Sequence, residues 1–216
     1  MAPHRILVDS GNYFSNNDNL GDRAIYQVIF RRLRHLWPDC QIHWITRNAA
    51  LLRKDCPEVI ALELTEERLP LPLIALGADT RNLITQASAD CARIVSALMD
   101  CDMVMATGGG YFSDDFSGQS EVILQTLEAG IRLGKPAIIL SCGFEPVSVR
   151  SLSQKMLGVF PLLSLVVCRE SQQSPMVARS FGVPEQRLVV AADEAIELAF
   201  NLHPTVLGES LGINVR

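Results

Sequence analysis

The chain has 216 residues, 48% of them hydrophobic, and a formal net charge of −5. That length and composition allow one large core, or one domain and the start of another, while the acidic balance argues against a nucleic-acid surface. No stretch approaches the roughly 18 to 20 apolar residues of a membrane span, and the apolar run before Asp9 is too short for a signal peptide.

Strands and helices alternate along the chain. Arg5–Asp9 (RILVD) reads as a first strand, and residues 21–37 as an amphipathic helix with Ala24, Ile25, Val28, Ile29, Leu33 and Leu36 on its apolar face. Asp22 falls in the first turn, where a carboxylate suits the helix dipole. Gln41–Thr46 (QIHWIT) follows as a second strand and residues 59–62 as a short third. Pro70 and Pro72 make a long helix unfavourable across residues 63–80. Residues 88–99 form a helix feeding a strand that begins at Met103, and residues 121–133 the next helix, stopped by Gly134 and Pro136. Residues 137–140 and Leu165–Cys168 are further strands; residues 171–181 form a helix closed by Gly182-Val183-Pro184. Leu188–Val190 leads into Asp193, with Ala195 and Leu198 on a helix behind it.

This alternation of helices with continuously apolar strands implies an α/β fold, Rossmann-like: a doubly wound, mostly parallel sheet with helices on both faces. Residues 1–205 are expected to form that domain. Residues 206–216 read as a linker and the first strand of a further C-terminal domain, with the boundary near residues 203–210.

In such a sheet ligands bind outside the carboxyl ends of the strands, and the conspicuous residues fall there. Met103 to Ala106 runs into Gly108, Gly109 and Gly110, followed after Tyr111, Phe112 and Ser113 by Asp114. Three glycines remove every Cβ and let a ligand reach the main chain, and Asp114 adds a charge at the rim; a tight turn without ligand is the plain alternative. The first strand–helix loop, residues 10–22, is polar and holds Asn19, Gly21 and Asp22, where free helix-start N–H groups suit an anion or a polar ligand; Asn19 could equally just cap the helix. It matches neither a Walker loop nor G-x-G-x-x-G. Ser141-Cys142-Gly143-Phe144-Glu145-Pro146 follows another strand, with Glu145 able to accept hydroxyl hydrogen bonds or simply to sit in a turn. Arg169 stands between a strand and a helix, where its planar fork can grip a carboxylate or phosphate, or can tie loops by pairing with Glu170 or Asp193. Asp193 itself can face the cleft or cap the helix after it.

The six cysteines (Cys40, Cys56, Cys91, Cys101, Cys142, Cys168) show no C-x-x-C spacing and suit reduced thiols in a cytoplasmic protein. The four histidines form no H-x-x-x-H pair, so no metal site is supported. The compact basic cluster Arg31, Arg32 and Arg34 reads as solvated helix surface.

Taken in order, these pieces resemble the polysaccharide pyruvyltransferase family, over nearly the whole chain. The carriers are Asn19-Leu20-Gly21-Asp22, Gly108-Gly109-Gly110 with Asp114, the Ser141 to Pro146 loop, Arg169-Glu170-Ser171-Gln172-Gln173-Ser174, and Ala192-Asp193. Two departures stand out. The family's Gly-Gln-x-x-Gly-Pro type loop is here Ser-Cys-Gly-Phe-Glu-Pro, and the family's serine position in the arginine motif holds Gln173, with Ser174 one place late. The resemblance implies the N-terminal half of a two-domain enzyme of glycosyltransferase-B type, with an Arg-x-His element in a C-terminal domain beyond the residues read here.

It also implies the transfer of pyruvate from phosphoenolpyruvate to two hydroxyls of a sugar or glycan precursor, with release of phosphate and no metal or organic cofactor. Arg169 is then the donor clamp, Asp114 and Asp193 the candidates for acid–base work, and Asn19, Gly21, Asp22, Gly108, Gly109, Gly110 and Glu145 the substrate-lining positions. Peripheral membrane contact and homo-oligomerisation stay open. So do two other readings: a sugar-nucleotide glycosyltransferase of similar architecture, and a non-catalytic binding module.

Overall fold

Residues 4–11, 20–64 and 89–201 are described in the computed structural model. Among them seven short apolar runs become the strands of one all-parallel sheet, in the order β3-β2-β1-β4-β5-β6-β7. The strands are β1 (Arg5–Asp9), β2 (Gln41–Thr46), β3 (Ile60–Glu63), β4 (Met103–Thr107), β5 (Ala137–Cys142), β6 (Leu165–Cys168) and β7 (Leu188–Val190). The helices are α1 (Leu20–Leu36), α2 (Ala49–Asp55), α3 (Ala89–Asp100), α4 (Ser117–Arg132), α5 (Arg150–Val159), α6 (Gln173–Ser180) and α7 (Ala195–Asn201).

The strands read as continuous apolar runs because both sheet faces are covered. On one face Ile6, Val8, Ile42, Trp44, Met105 and Ile138 pack with Ile25, Tyr26 and Ile29 of α1 and Leu52 of α2. The intervening residues Leu7, Ile45, Val104, Ala106, Ala137, Ile139 and Val166 meet α3, α4, α5 and α6 on the other face. Helix α7 packs beside α1, bound through Arg32, whose Nε donates to Glu197 at 2.9 Å. Strand order runs outward in both directions from the β1–β4 pair. Diverging crossovers open a crevice at that point, over the carboxyl ends of the central strands.

The doubly wound α/β expectation holds, and the sheet is wholly rather than mostly parallel. Two helices escape the sequence reading. Helix α2 is barely two turns long, although Asn48 caps it by accepting from the Leu51 N–H at 2.9 Å. Helix α5 carries its apolar residues at Leu152, Met156 and Val159, a helical spacing, but has no local capping residue to mark its start. Helix α4 begins at Ser117 rather than Glu121 because a 3₁₀ turn over Asp114–Phe116 leads directly into it. Helix α1 buries more than its expected stripe: Tyr26 and Phe30 join the core, while Leu36 is exposed.

Among the described residues no helix is long and apolar enough to cross a membrane. The expected linker and last strand lie in residues 202–216, and part of the Pro-bearing stretch in residues 65–88, outside the described residues.

Candidate functional site

The site is built from the loops that leave the carboxyl ends of β4, β5, β6 and β7, beside the start of α1. At the end of β4 the backbone turns through Gly108 (φ +71) and Gly109 (φ +96), a left-handed path that side chains other than glycine rarely adopt. Helix α1 crosses directly over this turn: a Cβ at Gly108 would lie 3.0 Å from both Ile25 and Tyr26, and one at Gly109 would lie 3.6 Å from Oδ1 of Asp22. The two aromatics after the glycines anchor the loop. The Tyr111 hydroxyl donates to the Thr107 carbonyl at 3.4 Å, and Phe112 is fully buried against Phe144 and Phe160.

Phe112 also bridges Phe144, and Gly143 N–H donates to the Gly109 carbonyl at 3.1 Å, so the loops after β4 and β5 run together as a short extension of the sheet. The β5–β6 ladder, meanwhile, slips. Ile139 pairs with Val166, but Cys142 pairs with Cys168, so β5 carries one extra residue. Ser141, inside that bulge, has φ +50 and is the only described non-glycine residue with positive φ. The slip decides what stands beside Arg169. In unbroken register Cys142 would be its neighbour; with the bulge it is Gly143.

That exchange makes room for the guanidinium. A Cβ at Gly143 would lie 2.9 Å from Nε and 3.2 Å from Cζ of Arg169, and one at Gly110 would lie 2.9 Å from its Nη2. The arginine therefore rests on two bare stretches of backbone. Its remaining neighbour is Asp193, whose Oδ2 is 3.6 Å from Nη1, with both side chains about one-third exposed. At that distance the pair is long, and Arg169 lines a cavity of about 190 Å³ together with Gly110, Gly143, Glu145, Gln173 and Ser174 among others.

The helix behind the arginine does not share in this. Both oxygens of Glu170 accept the first backbone N–H groups of α6, from Gln172 (2.6 Å), Gln173 (3.0 Å) and Ser174. The Ser174 contacts hold the Glu170 carboxyl at about 2, far below its ordinary range. The aid from the helix start that the sequence suggested is therefore taken up internally by Glu170. Ser174 does a second job: its Oγ accepts from the Phe144 N–H at 3.0 Å, tying the Gly143 loop to α6.

The remaining candidates divide. Glu145 is exposed at the cavity's edge. Asp22 stands over Gly109, and Gly21 is exposed at the first turn of α1. Asp193 serves two partners, Arg169 through Oδ2 and the Ala195 N–H through Oδ1 at 2.9 Å. Asp114 is committed elsewhere: it accepts from the N–H groups of Ser148 and Val149, each at 3.0 Å, and from the Ser148 hydroxyl, which holds its pKa below the usual carboxylate value. It thus caps the approach to α5 and is not among the cavity's lining residues. Asn19 lies outside the described residues. Arg32 and Arg34 are likewise tied down, Arg34 donating to the carbonyls of Cys40 and Glu58.

Ser141, read from the sequence only as part of a loop motif, and Glu194, which the sequence did not mark, complete the corner. Ser141 donates to Glu194, and Glu194 is only 5% exposed. Burial pushes its carboxyl up to about 7. Nothing in the local pattern marks Glu194, since an acid before an apolar helix normally reads as a solvated first-turn residue. Among the described residues no group of three or more His, Cys, Asp or Glu is arranged to hold a metal ion.

The fold is a doubly wound, Rossmann-like parallel α/β domain in which Arg169 lies against Gly110 and Gly143 past the strand ends. A family model described as polysaccharide pyruvyl transferase matches residues 19–214, nearly the whole chain, and the chain belongs to that family. No curated protein matches it.

Proposed function

We propose that the protein is a phosphoenolpyruvate-dependent pyruvyltransferase acting on a sugar diol of a glycan precursor. The observation that carries this reading is the Arg169 side chain laid against Gly110 and Gly143, lining a cavity past the strand ends. The donor brings a carboxylate and a phosphate next to a vinyl carbon. A planar guanidinium suits either anion by two parallel hydrogen bonds, and transition-state charge on the departing phosphate is stabilised by the same kind of contact.

The reaction balances without a redox partner. Carbon 3 of the donor takes one proton and becomes a methyl group. Carbon 2 then accepts the oxygens of two sugar hydroxyls, and its bond to the phosphate oxygen breaks. Of the two hydroxyl protons released, one replaces the proton consumed at carbon 3 and the other leaves with phosphate. A base is needed for the hydroxyls and an acid for the vinyl carbon. Asp193, beside Arg169, is the carboxylate best placed for that work. Asp22 and Glu145 are the groups we assign to orienting the acceptor, near the Gly108–Gly110 turn. Asp114 we assign to holding the loop, because its oxygens are engaged by Ser148 and Val149.

The test is to incubate the protein with phosphoenolpyruvate and a panel of lipid-linked or nitrophenyl sugars. Phosphate release and a product heavier than the acceptor by one pyruvyl ketal are expected. Consumption of a sugar nucleotide with phosphoenolpyruvate untouched would replace the reading with glycosyl transfer.

A further inference from the structure

The least explained group in the molecule is Glu194. It is buried at the crevice end of the sheet, and its Oε2 has no hydrogen-bond partner among the described residues. Such a group normally costs stability, so its position calls for a reason. Its other oxygen supplies one. Oε1 accepts from the Ser141 hydroxyl, and Ser141 is the residue held at φ +50 within the β5 bulge. That conformation is unfavourable for any residue with a Cβ and persists only where the surroundings over-determine it.

The bulge matters because it sets which residue stands beside Arg169. Without the extra residue the side chain of Cys142 would stand beside the arginine, and the guanidinium could not lie on bare backbone. With it, Gly143 takes the place, and the fork settles at a separation that even one Cβ would disturb. Glu194 also follows Asp193, the acid that pairs with Arg169. One carboxyl group thus pins the β5 loop to the β7 loop on either side of the clamp.

We propose that Glu194 is a positioning residue for the Arg169 anion clamp, locking the Ser141 bulge so that Gly143 rather than Cys142 lies against the guanidinium. This rests on the reading of Arg169 as the donor clamp. Charged and titratable groups face Glu194 from each element around it: Arg32 of α1 at 3.7 Å, Cys142 at the end of β5, Asp193 in its own loop and Glu197 of α7. Burial favours the neutral acid, which can hold the serine without adding a negative charge beside the anion that Arg169 binds.

Titration calorimetry with phosphoenolpyruvate tests this on the wild type and a set of variants. Arg169→Ala should weaken binding by tenfold or more. Glu194→Ala and Ser141→Ala, which remove the same bond from opposite ends, should each weaken it by about tenfold. Glu194→Gln keeps a partner for Ser141 at almost equal volume, so it should bind as wild type at pH 6 and should lack the weakening that wild type shows as the carboxyl ionises near pH 7. Adding Ser141→Gly to Glu194→Ala should restore affinity, because glycine takes φ +50 without help. A general loss of packing would not be rescued in that way. Wild-type affinity in Ser141→Ala and Glu194→Ala, with Arg169→Ala impaired, would overturn the positioning role and leave the clamp standing. Failure of the glycine rescue would also overturn it. Wild-type affinity in Arg169→Ala would overturn the clamp reading, and the positioning role with it.

Discussion

Gly143→Ala offers the cleanest separation of function from stability in this protein. The backbone at 143 is not left-handed, so alanine is conformationally tolerated, and replacing glycine at such a position tends to stabilise by about 0.4 to 1 kcal/mol through the unfolded chain. The new methyl group would stand 2.9 to 3.2 Å from Nε, Nη2 and Cζ of Arg169. What it meets is the end of a flexible side chain, so the fold can yield by moving the guanidinium, at roughly 0.5 to 1.5 kcal/mol for an off-rotamer shift. The two terms nearly cancel. For a domain of this size each kcal/mol moves Tm by about 2 to 4 °C, so Tm should stay within a few degrees of wild type.

Function should not survive so well. Each charge-assisted bond that the displaced fork loses is worth roughly 1.5 to 3 kcal/mol, which corresponds to a rise of about 10- to 100-fold in donor Kd. The assay is calorimetric titration with phosphoenolpyruvate beside a thermal melt, run as a double-mutant cycle with Arg169→Ala. In the Arg169→Ala background the methyl group has nothing to displace, so Gly143→Ala should then change affinity little, and the cycle should show a coupling of about 1 to 3 kcal/mol. Additive losses, or unchanged affinity in folded Gly143→Ala, would refute the view that this glycine exists to seat the arginine.

Three further outcomes follow from the same geometry. Glu194 has a folded-state carboxyl value near 7 against 4.5 ordinarily, so the folded protein retains a proton that the unfolded chain releases. Its contribution is therefore unchanged below about pH 4.5 and turns unfavourable as pH rises to 7, and Glu194→Gln should gain up to about 3 kcal/mol over wild type in urea melts at pH 8 while matching it near pH 4.5. Asp114→Ala should lower Tm by loosening the start of α5, with turnover per folded molecule largely kept; the reverse pattern would return Asp114 to acid–base work. All six cysteines are buried, and burial pushes Cys56 and Cys142 up to about 12 and Cys101 and Cys168 up to about 11. Ellman's reagent at pH 8 should thus find almost no reactive thiol until the protein unfolds, and rapid labelling of native protein would contradict the packing described.

The sheet was legible because its central strands are buried on both faces and leave apolar runs between turn residues, and the half-exposed edge strands β3 and β7 are still apolar in sequence. β1, β2, β6 and β7 were read with their observed limits, and β3, β4 and β5 within two residues at any end. Helix α2 escaped because it is short, and helix α5 because it depends on contacts remote in sequence. Helix α5 is started by Asp114, more than thirty residues upstream, so no capping residue stands before it. The same fact altered the reading of Asp114: a carboxylate just past a strand end looks like a cleft acid until its partners are known. Arg169, by contrast, was expected at a strand end before a helix and lies there, lining the cavity, while its role as a donor clamp came from the family resemblance.

The one-residue slip in β5 shows why the rest of the site was hidden. Ser141-Cys142-Gly143 reads as an ordinary turn, and no local pattern says whether Cys142 or Gly143 stands beside Arg169. Register within a parallel ladder is decided by pairing with Leu165–Cys168, and the positive φ that permits the slip is held by Glu194, a residue 53 positions away. A glycine motif therefore has meaning here only in its paired frame. Gly110 comes to the guanidinium from one loop and Gly143 from another, and they converge because Gly143 N–H bonds to the Gly109 carbonyl and Phe112 pairs with Phe144. The aromatics between the polar motifs, Tyr111, Phe112 and Phe144, thus hold together the two loops on which the arginine rests. They bury the loop bases and leave the tips nothing to do but face the crevice.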